Sequence, residues 1–195
     1  MTDKHKKVLM HFITVASVYI RVSDENDAAN KSSIAAFIRG YEIGTGSKCK
    51  FSQLLSKHFE ENLSIKYLAT GWPGQVTQYS EKKAISWIRS FRQAGLETIA
   101  GNGGLDDECK QILKKTITIL IERIRDKGDI YFNERWVEEW NSFCLVKSPW
   151  FKNMWTAAEY KVIASLDKEV KNNNVFKVSN LFLPTSTLLK LSKTF

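Results

Sequence analysis

At 195 residues, 43% of them hydrophobic and 12% aromatic, the chain carries enough apolar material to bury a substantial core, which excludes a disordered protein and fits one domain, or one domain with a small appendage. Three prolines and ten glycines exclude long flexible linkers. The formal charge of +8 favours polyanionic partners, because cations set against phosphates release counterions, although 22 lysines to 7 arginines counts against a bidentate reader of bases or phosphates.

Lys4, His5, Lys6 and Lys7 ahead of the apolar run 8–20 have the order of a secretory leader. Asp3 and His11 fit that badly, no small-x-small cleavage site follows, and the run is too short to span a bilayer. An internal element of a cytoplasmic protein with no membrane contact is expected. Leu9, Phe12, Ile13, Ala16, Tyr19 and Ile20 recur at helical spacing and predict a helix over 4–21, followed by a polar loop over 23–31. Two more helices are predicted over 33–41 and 51–62, the latter with Phe51, Leu54, Leu55 and Phe59 on one side. The segment Gly40-Tyr-Glu-Ile-Gly-Thr-Gly-Ser-Lys48 fails as a phosphate loop, because Ser47 precedes Lys48 in the wrong order and no apolar strand leads in. A helix C-cap at Gly44 explains it better.

Thr70-Gly-Trp-Pro-Gly-Gln75 reads as a turn, with Trp72 either plugging the core or anchoring a partner. Ser80 then reads as the N-cap of a helix that carries Ala84, Ile85, Trp87, Ile88 and Phe91 as far as Gly95. Its polar surface holds Lys82, Lys83, Arg89 and Arg92, a secondary candidate for phosphate contact. Gly101, Gly103 and Gly104 mark a short connection, or a subdivision of the chain near 95–105. Asp106 caps a long helix to about 126, whose stripe of Cys109, Ile112, Leu113, Ile117, Leu120, Ile121 and Ile124 marks it as the central core helix.

Trp136, Trp140 and Phe143 fall at i, i+4 and i+7 and so belong mainly to the core. Ser148-Pro149 restarts a helix, and Thr156 with Glu159 has the spacing of a capping box, which predicts a kink near Thr156 and helix to about 170. A short strand over 175–178 and a final helix over 185–193 complete the chain. The fold class is mainly α: one helical domain over 1–195, a bundle of about six to eight helices with a short strand or hairpin near the C-terminus.

The chemistry-bearing residue types form no recognisable site. Cys49, Cys109 and Cys144 are odd in number and widely spaced, which suits buried thiols in a reducing compartment. His5, His11 and His58 lack metal-ligand spacing. Ser80-x-x-Lys83 and Ser165-x-x-Lys168 match a serine–lysine pair only by a short pattern, and Glu159-Tyr-Lys161 places its glutamate and lysine roughly 200° apart on a helix. No catalytic residue, cofactor or metal is expected, and a non-enzymatic role follows.

Two such roles are expected. In the first, the protein is an accessory or regulatory factor bound to DNA or RNA. Its phosphate contacts would come from Lys147, Lys152, Lys161, Lys168, Lys171, Lys177, Lys190 and Lys193, with Arg89 and Arg92. Over 147–195 these eight lysines face Glu159, Asp167 and Glu169, leaving +5 of the total charge in that segment. In the second, it is an inhibitor or adaptor that holds a protein partner, or a second copy of itself, through Trp72, Trp150, Phe151 and Trp155.

Overall fold

The structure, a computed structural model, describes residues 1–19, 27–46, 48–125, 130–143 and 145–172. The fold is mainly α, with no strand among the described residues. The expected strand over 175–178, the final helix over 185–193, and Cys144, Lys177, Lys190 and Lys193 lie outside them. The chain divides into two compact units, Met1–Cys109 and Lys110–Phe195.

The first unit contains α1 (Asp3–Tyr19), α2 (Asp27–Gly44), α3 (Phe51–Glu61), α4 (Trp72–Lys83) and α5 (Trp87–Ala100). Helix α5 packs against each of the other four. Its sequence allows this because Ile88, Phe91, Ala94, Gly95 and Leu96 bury most of its circumference. Gly95 is needed where α1 crosses: a Cβ there would meet Ile13 Cδ1 at 2.9 Å. Trp72, Trp87 and Phe91 form an aromatic cluster with ring centroids 5.6 to 6.1 Å apart, and the Trp87 indole donates to the Pro73 carbonyl at 3.2 Å. That bond satisfies the polar end of a ring whose body drives the packing.

Several boundaries depart from the expectation. Helix α2 already begins at Asp27, inside the predicted loop 23–31. The left-handed residue after α2 is Gly46, with φ of 61°, two places beyond the C-cap expected at Gly44. The Thr70–Gln75 segment is a helix start: Gly71 takes φ of 67° and Pro73 occupies the first turn, where its missing N–H costs nothing. Ser80 is therefore inside α4, its hydroxyl donating back to the Thr77 carbonyl at 2.7 Å. The predicted 80–95 helix is broken at Ala84, which closes α4 in the left-handed region, and the N-cap of α5 is Ser86, accepting from the Arg89 amide. The glycines after α5 make a single 3-10 turn leading to Asp106, whose carboxylate accepts the Cys109 amide at 2.8 Å.

The second unit is built on most of α6 (Asp107–Arg125) with α7 (Ile130–Phe143), α8 (Pro149–Asn153) and α9 (Ala157–Lys171). Leu113, Ile117, Leu120, Ile121 and Ile124 bury the predicted stripe of α6. Trp140 and Phe143 of α7 are buried, whereas Trp136 is half-buried under the Arg123 guanidinium. The Trp140 indole donates to Asp167 of α9 at 3.2 Å, and the Tyr160 hydroxyl reaches back to the Val146 carbonyl at 2.6 Å. Thr156 and Glu159 form the predicted capping box, each side chain accepting the other's backbone amide.

Candidate functional site

Helix α9 sorts its charges. Ile163, Leu166 and Val170 are its buried stripe, and Lys161 and Lys168, two turns apart, share the opposite side about 10 Å from each other along the axis. The three carboxylates of the helix have other partners: Glu159 closes the capping box, Asp167 takes the Trp140 indole and the Lys171 ammonium, and Glu169 accepts the Ser165 hydroxyl at 3.1 Å. Lys161 and Lys168 are exposed and make no ion pair with any described residue. Lys147, before α8, is exposed as well, and Lys152 is exposed with its ammonium 5.6 Å from the centre of the Tyr160 ring. The Ser165 hydroxyl is engaged with Glu169, so the serine–lysine spacing builds no dyad there.

Other predicted contacts are placed differently. Arg92 is 1% exposed, the bulkiest fully buried side chain among the described residues, and cannot touch a phosphate. Its Nε donates to the Ile13 carbonyl at 3.2 Å, beside Val15, whose φ of −118° and ψ of 19° interrupt the ladder of α1. A kinked helix frees carbonyl groups, and a buried guanidinium supplies a donor. Arg89 is half-buried. Among the predicted partner-binding aromatics, Trp72 is 7% exposed, Phe151 1% and Trp155 7%, so all three belong to the core. Phe151 lies edge-on between Trp150 and Trp155, and the Lys114 ammonium covers the Trp155 ring at 5.0 Å. Only Trp150 of the four keeps partial exposure. Exposed cations are also found in the first unit, at Arg39, Lys48, Lys50, Lys57, Lys66, Lys82 and Lys83.

The first unit holds a feature not anticipated from the sequence. A cleft of about 340 Å³ lies between the C-terminal ends of α3 and α5, walled by Lys57, His58 and Glu61 of one and Glu97 and Thr98 of the other. Leu54, Lys57, His58 and Glu61 recur at i, i+3, i+4 and i+7, a visible face of α3; that α5 brings Glu97 to the same opening is a tertiary fact. Burial pushes the His58 imidazole below its ordinary pKa, against a smaller opposing pull from Glu97. Its Nε2 is buried without a hydrogen-bond partner. The two described thiols are inert: Cys49 and Cys109 are buried, and desolvation first, then Asp106, pushes Cys109 up to about 12. No group of three or more potential metal ligands occurs among the described residues, and no described helix is long and apolar enough to cross a membrane.

The fold thus defines a mainly α-helical protein with a lysine-bearing outer surface on its second unit and a carboxylate-walled cleft in its first. Comparison with family models, with curated proteins and with solved structures finds no match.

Proposed function

We propose that the protein is a non-enzymatic, nucleic-acid-associated accessory or regulatory factor, and that the outer surface of α8 and α9 contacts phosphates. The observation carrying this reading is the partition of charge on α9. Its carboxylates are held by internal partners, while Lys161 and Lys168 are presented together without a counter-ion among the described residues. Lys147 and Lys152 add charge near Trp150, whose partly exposed ring offers a base a stacking surface. Lysines act here as point charges, which suits sequence-independent attachment better than base reading. The adaptor reading draws less support, because Trp72, Phe151 and Trp155 are spent on the core.

The test is fluorescence anisotropy with labelled single- and double-stranded DNA and RNA oligonucleotides. Binding at low salt is expected to weaken by at least about tenfold between roughly 50 mM and 200 mM salt. Lys161→Gln with Lys168→Gln should reduce the salt slope by about two. No binding to any of these oligonucleotides at low salt would sink the proposal.

A further inference from the structure

We propose that Asn102–Gly103 is a site of spontaneous modification, at which the folded chain converts its own asparagine through a succinimide to aspartate and isoaspartate. Three observations carry this. Asn102 is the single asparagine of the sequence that precedes a glycine. The nitrogen of that glycine has no Cβ to shield it, and nothing lies within 4 Å of where the Cβ would stand. Asn102 and Gly103 are both exposed, and the Asn102 carboxamide makes no hydrogen bond to any described residue. It lines the open cleft between α3 and α5, where water reaches it. Asn141 also precedes a small residue, but α7 holds it in regular helix and Ser142 is buried.

The turn that holds the pair also gates it. Residues Gly101–Gly103 form the 3-10 turn after α5, whose i→i+3 pattern directs the Gly103 amide towards the Ala100 carbonyl. Attack needs that nitrogen against the Asn102 Cγ instead, so the turn must open first. Little keeps it closed. No residue of the turn is buried, and Gly101, Gly103 and Gly104 lose the most backbone freedom when ordered.

Once the turn is open, hydroxide removes the Gly103 amide proton and the nitrogen forms a bond to Asn102 Cγ. The Cγ–Nδ2 bond breaks, and Nδ2 leaves as ammonia with a proton from water. Water then opens the ring by adding at Cγ, which gives aspartate, or at the Asn102 main-chain carbonyl carbon, which gives isoaspartate. The net change is amide plus water to carboxylate plus ammonium. Either product sets a carboxylate at the negative end of α5 and lowers the formal charge of +8 by one. Isoaspartate also lengthens the main chain by a methylene ahead of Asp106, the cap of α6. The site shares no residue with the lysine surface, so the two proposals fail separately.

The experiment incubates the folded full chain at neutral and mildly alkaline pH, then digests it with trypsin. Cleavage after Arg92 and Lys110 releases the peptide 93–110, in which Asn102 is the one asparagine. Mass spectrometry reads its conversion, and enzymatic carboxyl methylation counts the isoaspartate. Conversion at Asn102 is expected to rise with pH, with isoaspartate the larger product, and Asn102→Gln should abolish it. Gly103→Ala should slow it by at least about tenfold, because the new Cβ shields the attacking nitrogen. The turn accepts that alanine, since its Cβ meets nothing and Gly103 is outside the left-handed region, and an unchanged circular dichroism spectrum checks the fold. Three results overturn the proposal: Asn102 persisting in the folded chain while the isolated peptide 93–110 converts, conversion no faster than at the exposed Asn62, which precedes Leu63, or a folded Gly103→Ala protein that converts as fast as the parent.

Discussion

Arg92 shows how far the identity of a residue can mislead about its place. On a helical projection it joins Lys82, Lys83 and Arg89, yet α1 covers it and its donor meets a carbonyl near the interruption at Val15. No periodicity in α5 could announce this, because the acceptor belongs to a helix 79 residues away. Replacing a buried, hydrogen-bonded guanidinium leaves a void and an unsatisfied carbonyl, so Arg92→Ala is expected to cost about 3 to 5 kcal/mol in urea unfolding. Arg89→Ala, on the same helix but half-exposed, should cost about 1 kcal/mol or less. His58 carries a pH consequence. Burial lowers its folded pKa below the ordinary 6.5, so over the interval between the two values the unfolded chain binds the proton more readily. Stability from this group is complete above 6.5 and is lost as pH falls below it. Unfolding measured on either side of 6.5 should show that slope flattened in His58→Gln, and an unchanged slope refutes the assignment.

Elements were legible wherever local chemistry decides their ends. Thr156 and Glu159 close α9 as their spacing implies, and Asp106 caps α6. Thr156→Ala should therefore lower stability by about 1 kcal/mol and Thr156→Ser by much less, read from thermal unfolding. Legibility failed at the joint between α4 and α5. Ser80 and Ser86 are both serines followed by helical periodicity, and the residue that separates the helices, Ala84, has φ of 51° without being a glycine. Its conformation is imposed by the packing of the two helices and leaves no trace in its identity. The cleft was hidden for the same reason: its α3 face is periodic, but its Glu97 wall depends on how α5 crosses α3. That crossing pattern has one sharp test. Gly95→Val sets a branched side chain where even a Cβ comes to 2.9 Å from Ile13, and overpacking should cost about 2 to 3 kcal/mol in chemical denaturation.

For the molecule as a whole, the question is whether its charge acts as a total or as a pattern. Exposed lysines are distributed over both units, so net charge alone would attract a polyanion without any designated surface. Two pairs of reversals separate these cases, since Lys161→Glu with Lys168→Glu and Lys82→Glu with Lys83→Glu each lower the formal charge of +8 by four. If α9 is the contact surface, the first pair should reduce oligonucleotide affinity at low salt by at least about tenfold more than the second. Equal losses assign the binding to total charge. The fold class was readable from composition and periodicity, whereas this pattern was only half readable. Eight lysines in the last quarter of the chain are visible in the sequence, but the engagement of Glu159, Asp167 and Glu169 by internal partners is not.

The bond from Arg92 to Ile13 also sets an order of events during synthesis. Helix α1 leaves the ribosome before α5, with Leu9, Met10 and Ile13 destined for complete burial, yet the side chain that answers the Ile13 carbonyl is made 79 residues later. Until α5 emerges, the N-terminal helix has neither its donor nor the glycine face into which Ile13 fits. A nascent chain that ends before Arg92 therefore holds α1 in an unfinished state. A pause in translation anywhere in that interval prolongs the exposure of its most apolar side.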